Sequence, residues 1–416
     1  MSNYVIEGGK KLEGEVYISG SKNASLPIMA ASILNGKTST LYNVPNIYDT
    51  RVTMEILEKL GAKVNKKNGK VIIDSKGIKT QEIPDELMRK MRSSVVLAGA
   101  IIGRFKKAIF SYPGGCDIGT RPIDLHLKGF RKLGIKIEEN SGFIHCSADK
   151  IIGSNIHLDF PSVGATENII LASVFAEGET IITNAAMEPE IIDLQEFLNK
   201  MGAKVKGAGT NIIKITGVKN LKEVSYNIMP DRIEAGTFLC MSAITGGETI
   251  LKNVNSSHIS PVIHKLEEAG AKILVDGNKI IVQAPKRLKA VEIKTLPYPG
   301  FPTDMQSIFA SILTIAKGSS MIVENIFENR YRYVNELRRM GAKISIEGKV
   351  CVVKGVRKLV GTEVSSTDLR GGAAMCTAAL AAKGISKINN IEHILRGYEN
   401  LEGKLTKLGA NIKLEK

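Results

Sequence analysis

The sequence predicts a mixed α/β (α+β) protein that contains six copies of one strand-and-helix unit, arranged as two similar globular domains of three copies each. Three observations support this prediction. A helix-ending signature recurs six times along the 416 residues, a helix rich in small apolar residues recurs within the units, and a strand ending in Asn usually follows that helix. Self-similarity at a fixed spacing is the mark of a repeat architecture.

The helix-ending signature is a glycine followed by an apolar-alternating strand, and its first copy reads Lys59-Leu60-Gly61-Ala62-Lys63-Val64. The six glycines are Gly61, Gly134, Gly202, Gly270, Gly341 and Gly409. Successive gaps are 73, 68, 68, 71 and 68 residues, so the repeat is close to 70 residues long. We expect each glycine to cap a helix at its C-terminal end.

The second helix of each unit is rich in small side chains, as in residues 26–34 and 373–380. Such helices pack closely against their neighbours, which predicts an interior position. The strands that follow end at Asn43, Asn184, Asn253, Asn325 and Asn390.

The start of the chain supplies the strands that the last copy lacks. Residues 4–8 and 12–18 have a strand pattern, and the copy that contains Gly409 has only one strand after that glycine. We therefore expect residues 1–20 to pair with the C-terminal unit. The predicted domains are residues 21–229, with repeats one to three, and residues 1–20 plus 230–416, with repeats four to six.

The bulk composition excludes several classes of protein. The chain is 43% hydrophobic and 24% charged, with no apolar run near the roughly 20 residues of a membrane span and no leader pattern, so we expect a cytoplasmic protein. Its five cysteines lack paired metal or disulfide spacing. The four expected in the core are Cys146, Cys240, Cys351 and Cys376.

The net charge of +15 is spread along the chain, which favours anionic partners such as phosphates. The chain has no Trp and only 5% aromatic residues, so a base-stacking surface for nucleic acid is disfavoured.

The segment 111–124 carries a cysteine, Cys116, in a polar and Gly-rich setting. From Tyr112 to Gly134 the count is 22 residues, against 18, 18, 17, 16 and 19 from strand-end Asn to glycine in the other repeats. Insertions on a scaffold are often functional. Pro122 suits the first turn of the following helix, which would place Arg121 where a thiolate or anion is favoured. An ordinary cysteine in a Gly-rich turn is the alternative.

Other repeats carry polar residues at comparable junctions. Lys22 suits either a phosphate contact or a solvated surface position. Ser162 lies at a predicted helix start, which could bind an anion, or Ser162 could simply cap the helix. Thr303 and Gln306 have capping-box spacing, so Asp304 could be only a first-turn carboxylate. The arginines of interest are Arg92, Arg121, Arg330, Arg370 and Arg396. Together with Lys22, these arginines could converge and hold several negative charges.

These motifs resemble the UDP-N-acetylglucosamine enolpyruvyl transferases (UDP-N-acetylglucosamine 1-carboxyvinyltransferases) over the whole chain. The resemblance is carried by residues 20–24, the Cys116 loop, and residues 161–166, 302–306 and 396–399. The Cys116 loop separates them from the sister enolpyruvylshikimate-phosphate synthases. The resemblance implies two similar domains, each with three units around a core of parallel helices (an inside-out α/β barrel), with the substrates between them.

The implied activity is transfer of the enolpyruvyl group of phosphoenolpyruvate to the sugar 3-hydroxyl, with release of phosphate. This is the committed step of bacterial peptidoglycan synthesis, and so of cell-wall biogenesis. Asp304 would take the hydroxyl proton, and Cys116 would donate a proton to the methylene carbon or assist product release. Fosfomycin sensitivity travels with that cysteine. No metal and no cofactor is implied, and neither nucleic acid nor a membrane is an expected partner.

The resemblance also implies a set of site residues. The catalytic residues would be Cys116, Asp304, Lys22 and Arg396. Phosphoenolpyruvate would contact Lys22, Asn23, Arg121, Arg330, Arg370 and Arg396. UDP-N-acetylglucosamine would contact Arg92, Arg121, Pro122, Ile123, Asp124, Leu125, Ser162, Val163, Gly164, Asp304 and Ile326.

Two residues depart from the expected pattern, and two other functions stay open. Phe160 stands where some relatives have Lys, and Asp117 opposes a thiolate at Cys116 by like charge. One alternative is a shikimate-type enolpyruvyl transferase. The other is a noncatalytic basic repeat scaffold that binds nucleic acid with steep salt dependence.

Overall fold

The computed structural model describes residues 2–67, 69–114, 118–119 and 122–415. The strands are β1 (Asn3–Glu7), β2 (Glu13–Tyr17), β3 (Thr38–Tyr42), β4 (Lys63–Lys67), β5 (Lys70–Asp74), β6 (Lys107–Ser111), β7 (Lys136–Asn140), β8 (Phe143–Ser147), β9 (Asn155–His157), β10 (Glu179–Thr183), β11 (Lys204–Lys206), β12 (Ile212–Thr216), β13 (Val224–Asn227), β14 (Glu248–Lys252), β15 (Lys272–Asp276), β16 (Lys279–Gln283), β17 (Glu292–Lys294), β18 (Ser319–Val323), β19 (Lys343–Glu347), β20 (Val350–Lys354), β21 (Glu363–Ser365), β22 (Ile385–Asn389) and β23 (Asn411–Glu415).

The helices are α1 (Lys22–Ala31), α2 (Tyr48–Leu60), α3 (Asp85–Met88), α4 (Val96–Phe105), α5 (Asp124–Lys132), α6 (Val163–Ser173), α7 (Pro189–Met201), α8 (Arg232–Thr245), α9 (Ser260–Glu268), α10 (Thr303–Leu313), α11 (Val334–Arg339), α12 (Leu369–Ala381), α13 (Glu392–Leu395) and α14 (Leu401–Lys407). Short 3-10 turns occupy Arg92–Val95, Ser256–Ile259 and Arg330–Tyr333.

The six signature glycines end helices, as predicted. All six have positive φ, between +82° and +109°, a backbone conformation that side chains other than glycine rarely adopt. In the first five repeats the following strand then pairs with the next strand as a hairpin, for example β15 with β16 and β19 with β20. The periodic signature therefore reports a repeated local structure.

Each repeat builds a small sheet around the strand that follows its buried helix. In the order β17-β18-β20-β19, β18 pairs with hairpin strand β20 on one side and with β17, in parallel, on the other. The strand-end asparagines close this arrangement: the Asn253 side chain donates to the carbonyl of Ile18 at 2.8 Å, and that of Asn184 to Leu158 at 2.7 Å. Asn43, Asn184, Asn253 and Asn390 have φ between 54° and 61°, which asparagine tolerates better than most residues.

The N-terminal strands join two different repeats. β1 lies between β22 and β23 and pairs antiparallel with both, so that Val5 faces Lys387 on one side and Lys413 on the other. This confirms the expected pairing of β1 with the last repeat. The expectation was wrong for β2, which lies parallel to β14 of the fourth repeat. The reason is that β2 takes the place that β17 has beside β18, next to the strand that follows a buried helix.

Two compact units result, each with its own apolar core. One comprises residues 2–19, 118–119 and 230–415, and the other residues 20–114 and 122–229. In the first, α8, α10 and α12 pack against one another, and in the second α4 packs against α1 and α6. The domain boundaries derived from the sequence stay a prediction, since compactness alone does not test whether each unit folds by itself.

Four cysteines lie in these cores, as expected: Cys146, Cys240, Cys351 and Cys376. Burial raises the pKa of the Cys146, Cys351 and Cys376 thiols to about 12, so they are inert at neutral pH. In the part of the chain that the structure describes, no helix has the length and apolarity that a bilayer crossing requires.

Candidate active site

Most of the described site residues lie at the N-terminal ends of the core helices. α1 begins at Lys22, α10 begins one residue before Asp304, α12 begins one residue before Arg370, and α6 begins directly after Ser162. A helix N-terminus presents backbone N–H groups without intrahelical partners and the positive end of the helix dipole. The fold therefore assembles functional side chains at ends that already favour anions.

Asp304 is held by two buried arginines in the first unit. Arg330 contacts Asp304 Oδ1 at 3.1 Å and Arg370 contacts Asp304 Oδ2 at 2.9 Å. The side chains of Arg330 and Arg370 are 2% and 4% exposed, whereas that of Asp304 is 29% exposed. Two guanidinium groups out of water stabilise the ionised form of the carboxylate that faces solvent.

Arg370 is fixed in turn by the neighbouring helices. Its Nη1 donates to the Tyr398 hydroxyl at 3.2 Å, and that hydroxyl lies 2.9 Å from the hydroxyl of Thr237 on α8. Burial opposes the charge on Arg370, but Asp304, Tyr398 and Asp231 together outweigh it and raise the pKa of the guanidinium. At the start of α12, Asp368 accepts from the backbone N–H groups of Arg370 and Gly371. Arg370 is a permanent cation with one orientation.

The capping box expected at Thr303 and Gln306 is wrong. The N-cap residue of α10 is Pro302, which makes no side-chain cap. The Thr303 hydroxyl instead donates to Glu324 at 3.0 Å. A buried carboxylate beside the helix start is the stronger acceptor, since hydrogen bonds to an ionised group are roughly twice as strong as neutral ones.

Lys22 forms an ion pair with Asp49 in the second unit. Lys22 Nζ lies 3.2 Å from Asp49 Oδ2, and the two side chains are 13% and 1% exposed. The backbone N–H of Ala24 donates to the Ser21 hydroxyl at 3.2 Å, which caps α1. Asn23 is the second residue of that helix.

The Ser162–Gly164 segment surrounds the start of α6. Ser162 caps the helix by accepting from the N–H of Ala165 at 3.4 Å, which is the simpler of its two expected roles. A Cβ on Gly164 would lie 3.1 Å from the ring of His126, so the ring fills the space that a side chain would need. Phe160, just before this segment, is half exposed.

His126 is a buried and neutral imidazole. Its Nδ1 lies 2.7 Å from the side-chain nitrogen of Asn168, which donates, so the ring hydrogen is on Nε2. Burial, together with the charge of Arg92, lowers the pKa of His126 to about 3. Arg92 also donates to the carbonyl of Pro113 at 3.5 Å.

The predicted position of Pro122 in a helix is wrong. α5 begins at Asp124 with Ile123 as its N-cap residue, so Pro122 lies before the helix. Leu125 is the second residue of α5 and is partly buried.

The loop centred on Cys116 is only partly described. Its predicted site residues Cys116 and Arg121, together with Asp117, lie outside the described residues. Ile118 and Gly119 belong to the first unit, where the carbonyl of Ile118 accepts from the N–H of Asn329 at 3.0 Å.

Ile326 and Arg396 complete the predicted set in the first unit. The N–H of Ile326 donates to Glu324 at 2.8 Å. Arg396 follows the last residue of α13. The structure thus brings Asp304, Arg330 and Arg370 into direct contact.

Sequence reasoning missed three supporting residues: Asp49, His126 and Glu324. Each is buried against a predicted site segment. Glu324 directly precedes the strand-end Asn325, so a comparison of the residue before each strand-end Asn would have singled it out. Asp49 and His126 carry no such positional signal. Within the described ranges, no group of three or more His, Cys, Asp or Glu side chains is placed to hold a metal ion.

Comparisons with known proteins identify the family of the chain. The family model described as EPSP synthase (3-phosphoshikimate 1-carboxyvinyltransferase) matches residues 6–405. UDP-N-acetylglucosamine 1-carboxyvinyltransferase 2 of Caldanaerobacter subterraneus subsp. tengcongensis is 52% identical over 413 residues, and that of Carboxydothermus hydrogenoformans is 52% identical over 415. Each alignment covers 99% of both chains.

The fold is also similar to a solved structure, the enolpyruvyl transferase NikO from Streptomyces tendae. The TM-score is 0.90 at 25% identity, covering 100% of this chain and 99% of that one. This likeness confirms the predicted fold class. With the full-length relatives, it shows that the chain belongs to the UDP-N-acetylglucosamine 1-carboxyvinyltransferases of the enolpyruvyl transferase family.

Proposed function

We propose that this enzyme transfers the enolpyruvyl group of phosphoenolpyruvate to the 3-hydroxyl of UDP-N-acetylglucosamine, releases phosphate, and acts in the cytoplasm on these two small molecules. The observation that carries the proposal is the Asp304 carboxylate, partly open to solvent and oriented by two buried arginines at 2.9 and 3.1 Å. A positioned carboxylate beside fixed cations suits proton abstraction from a hydroxyl in the presence of an anionic co-substrate.

Asp304 acts as the general base. It takes the proton of the sugar 3-hydroxyl while the hydroxyl oxygen forms a bond to C2 of phosphoenolpyruvate. A proton is added to the methylene carbon in the same addition, and Cys116 is assigned as its donor. Loss of phosphate from C2 and of a proton from the new methyl group then gives the enolpyruvyl ether.

The two arginines link substrate binding to the strength of this base. A carboxylate held by two cations is a weak proton acceptor. The carboxylate of phosphoenolpyruvate, bound by Arg330 and Arg370, shares their positive charge and so weakens their hold on Asp304. Asp304 therefore becomes basic enough to take the hydroxyl proton once phosphoenolpyruvate, whose C2 the hydroxyl attacks, is bound.

The remaining cations hold phosphate groups. Lys22, Arg121 and Arg396 are assigned to the phosphate of phosphoenolpyruvate, and Asn23 to the same substrate. Arg92, with the segments 121–125 and 162–164 and with Ile326, is assigned to the nucleotide sugar. Arginine suits such sites because its planar guanidinium can form paired hydrogen bonds with phosphate and carboxylate oxygens.

A phosphate-release assay tests the proposal. Phosphate should appear when phosphoenolpyruvate and UDP-N-acetylglucosamine are both present, and fosfomycin should abolish the release. Release with shikimate 3-phosphate in place of the nucleotide sugar would instead assign a shikimate-type transferase. No turnover, with salt-dependent binding to oligonucleotides, would assign a nucleic-acid scaffold.

The thiol assignment has a separate test. Cys116→Ser should lose most turnover near neutral pH and lose covalent labelling by fosfomycin, with Cys146→Ser as the matched control in the core. Labelling that survives in Cys116→Ser would reject the assignment.

A further inference from the structure

Glu324 is a buried carboxylate with four hydrogen-bond donors around it. Its Oε1 accepts from the Thr295 hydroxyl at 2.8 Å, from the N–H of Ile326 at 2.8 Å and from the N–H of Phe327 at 3.2 Å. Its Oε2 accepts from the Thr303 hydroxyl at 3.0 Å. The residue is 2% exposed, so these bonds are shielded from water.

The four bonds join three segments of one unit. Thr295 follows β17, Ile326 and Phe327 follow β18, and Thr303 is the first residue of α10. Their common acceptor is one rigid carboxylate, and hydrogen bonds to an ionised acceptor are short and strong. The start of α10 is thereby fixed relative to the segment after β18.

Both of the joined segments bear on the proposed site. Thr303 directly precedes Asp304, and the carbonyl of Thr303 accepts from Arg330 at 3.1 Å. The same guanidinium contacts Asp304 Oδ1. Ile326 is assigned to the nucleotide sugar. Glu324 therefore bonds to the residue directly before the base on one side and to the backbone of the sugar-binding residue Ile326 on the other.

We propose that Glu324 is a positioning residue that fixes the distance between the base Asp304 and the nucleotide sugar held at Ile326. The inference rests on the proposed function and deepens it. Displacement of a reacting group by about 1 Å can reduce the rate roughly 100-fold, so a link that holds the start of α10 controls turnover without touching substrate. The Thr303 hydroxyl is the part of this link nearest to the base.

Substitution of Thr303 tests the inference, because it leaves Glu324 and its backbone partners in place. Thr303→Val keeps the shape and removes the hydroxyl, and Thr303→Ser keeps the hydroxyl. Thr295→Val is the comparison variant, since it removes a donor to the same carboxylate on the side away from α10, together with the acceptor of the Asn325 N–H at 2.9 Å. Thermal melting of all three variants reports any loss of stability.

The expected result is a split between rate and binding. Thr303→Val should lower kcat about tenfold or more, with a smaller change in the KM for UDP-N-acetylglucosamine, and Thr303→Ser should restore most of kcat. Thr295→Val should lower the melting temperature at least as much as Thr303→Val does, because it also loses the bond from the Asn325 N–H, yet keep most of kcat. Equal kcat losses in the two valine variants, or no loss in Thr303→Val, would reduce Glu324 to a structural role.

A crystal structure of Thr303→Val gives a second readout that does not depend on turnover. The carboxylate of Asp304 should move away from its 3.1 Å contact with Arg330. An unmoved Asp304 would overturn the inference even if the native protein turned over neither substrate. Absence of turnover in the native protein would reject the proposed function alone.

Discussion

The ion pairs at the starts of α1 and α10 have opposite polarity. In the Lys22–Asp49 pair the cation is the more exposed partner, at 13% against 1%. At Asp304 the carboxylate is the more exposed partner, at 29%, and the two arginines are 2% and 4% exposed. Both pairs stand at the first turn of a core helix, so such a turn presents a cation in one unit and a base in the other.

The difference concerns which charge of each pair lies nearer to solvent. We assign contact with a reactant to the more exposed member of each pair, and at Asp304 the two buried arginines are assigned to the carboxylate of phosphoenolpyruvate as well. The buried member sets the charge and orientation of its partner. Removing a buried member leaves the other charge poorly compensated, and such losses reach about 3–5 kcal/mol in buried pairs. Two predictions on turnover, the larger effect first, test this division, and two predictions on the stability of other buried ionisable groups follow.

Asp304→Asn should have the largest effect on turnover. The substitution removes the proton acceptor but keeps the shape of the side chain, so kcat should fall about 10²- to 10⁴-fold. Calorimetry should still detect binding of UDP-N-acetylglucosamine. Turnover at the native rate would show that Asp304 only balances the charge of the arginines.

Asp49→Asn should weaken the other site through its buried partner. Lys22 would keep its charge but lose the group that orients it, so kcat/KM for phosphoenolpyruvate should fall about tenfold, equivalent to about 1.4 kcal/mol. Asp276→Asn, at an exposed position on β15, is the control. A normal kcat/KM together with a normal melting temperature would contradict the division between support and contact.

Asp193→Asn tests how the protonation of a buried carboxylate, whose hydrogen bonds come from uncharged donors, affects stability. Its oxygens accept from the Tyr226 hydroxyl at 2.7 Å and from the N–H of Met229 at 3.2 Å. Burial raises the pKa of Asp193 to about 6, only partly offset by these bonds. Because the native state binds the proton more tightly, Asp193 makes stability fall as the pH rises from about 4 to 6.

The variant should therefore gain stability relative to the native protein across that window, by on the order of 3 kcal/mol, and show no further gain above it. Denaturation by urea at several pH values measures the difference. Asp149→Asn, an exposed position, should show no such gain. A difference that does not change with pH would refute the raised pKa.

His126→Gln should change the stability with the opposite dependence on pH. The native ring stays neutral because its pKa is about 3, whereas the unfolded chain takes up a proton below about pH 6.5. His126 therefore makes stability fall as the pH drops from 6.5 towards 3. Relative to the native protein, the variant should gain about 1.4 kcal/mol between pH 8 and 5.5. The exposed His264→Gln is the control, and an equal gain there would count against a buried neutral ring.

The repeat could be predicted from the sequence because its recurring residues are required by the local backbone conformation. A positive φ requires glycine at Gly61 and its five equivalents, and Asn43, Asn184 and Asn253 close their sheets from a left-handed conformation. Such positions recur at fixed spacing and need no tertiary information. The fold class followed from them, and the pairing of β1 with the last repeat followed from the phase of the strands.

The supporting side chains were not readable, because their roles depend on contacts between distant segments. Glu324 and Thr303 are 21 residues apart, and Arg370 and Asp304 are 66 apart. The capping box at Thr303 failed because a buried carboxylate elsewhere in the chain took its hydroxyl. The partner of β2 was misjudged because β21 takes the corresponding edge of the last repeat, beside β22, and β2 pairs with the edge beside β14. In each case local sequence allows two partners and packing chooses one.

The place of β1 also has a consequence for the order in which the protein is made. Its five residues lie between strands that end the chain's last repeat, so this sheet can form only after residues 385–415 have left the ribosome. The other unit takes all of its strands from a single stretch, with β13 closing its sheet beside β3. During synthesis the continuous unit can fold first, while residues 3–7 wait as an unpaired strand. A ribosome stalled before residue 385 would carry a half-folded chain in which only the continuous unit is complete. Residues 3–7 would stay unpaired until then, as a segment that a chaperone can shield.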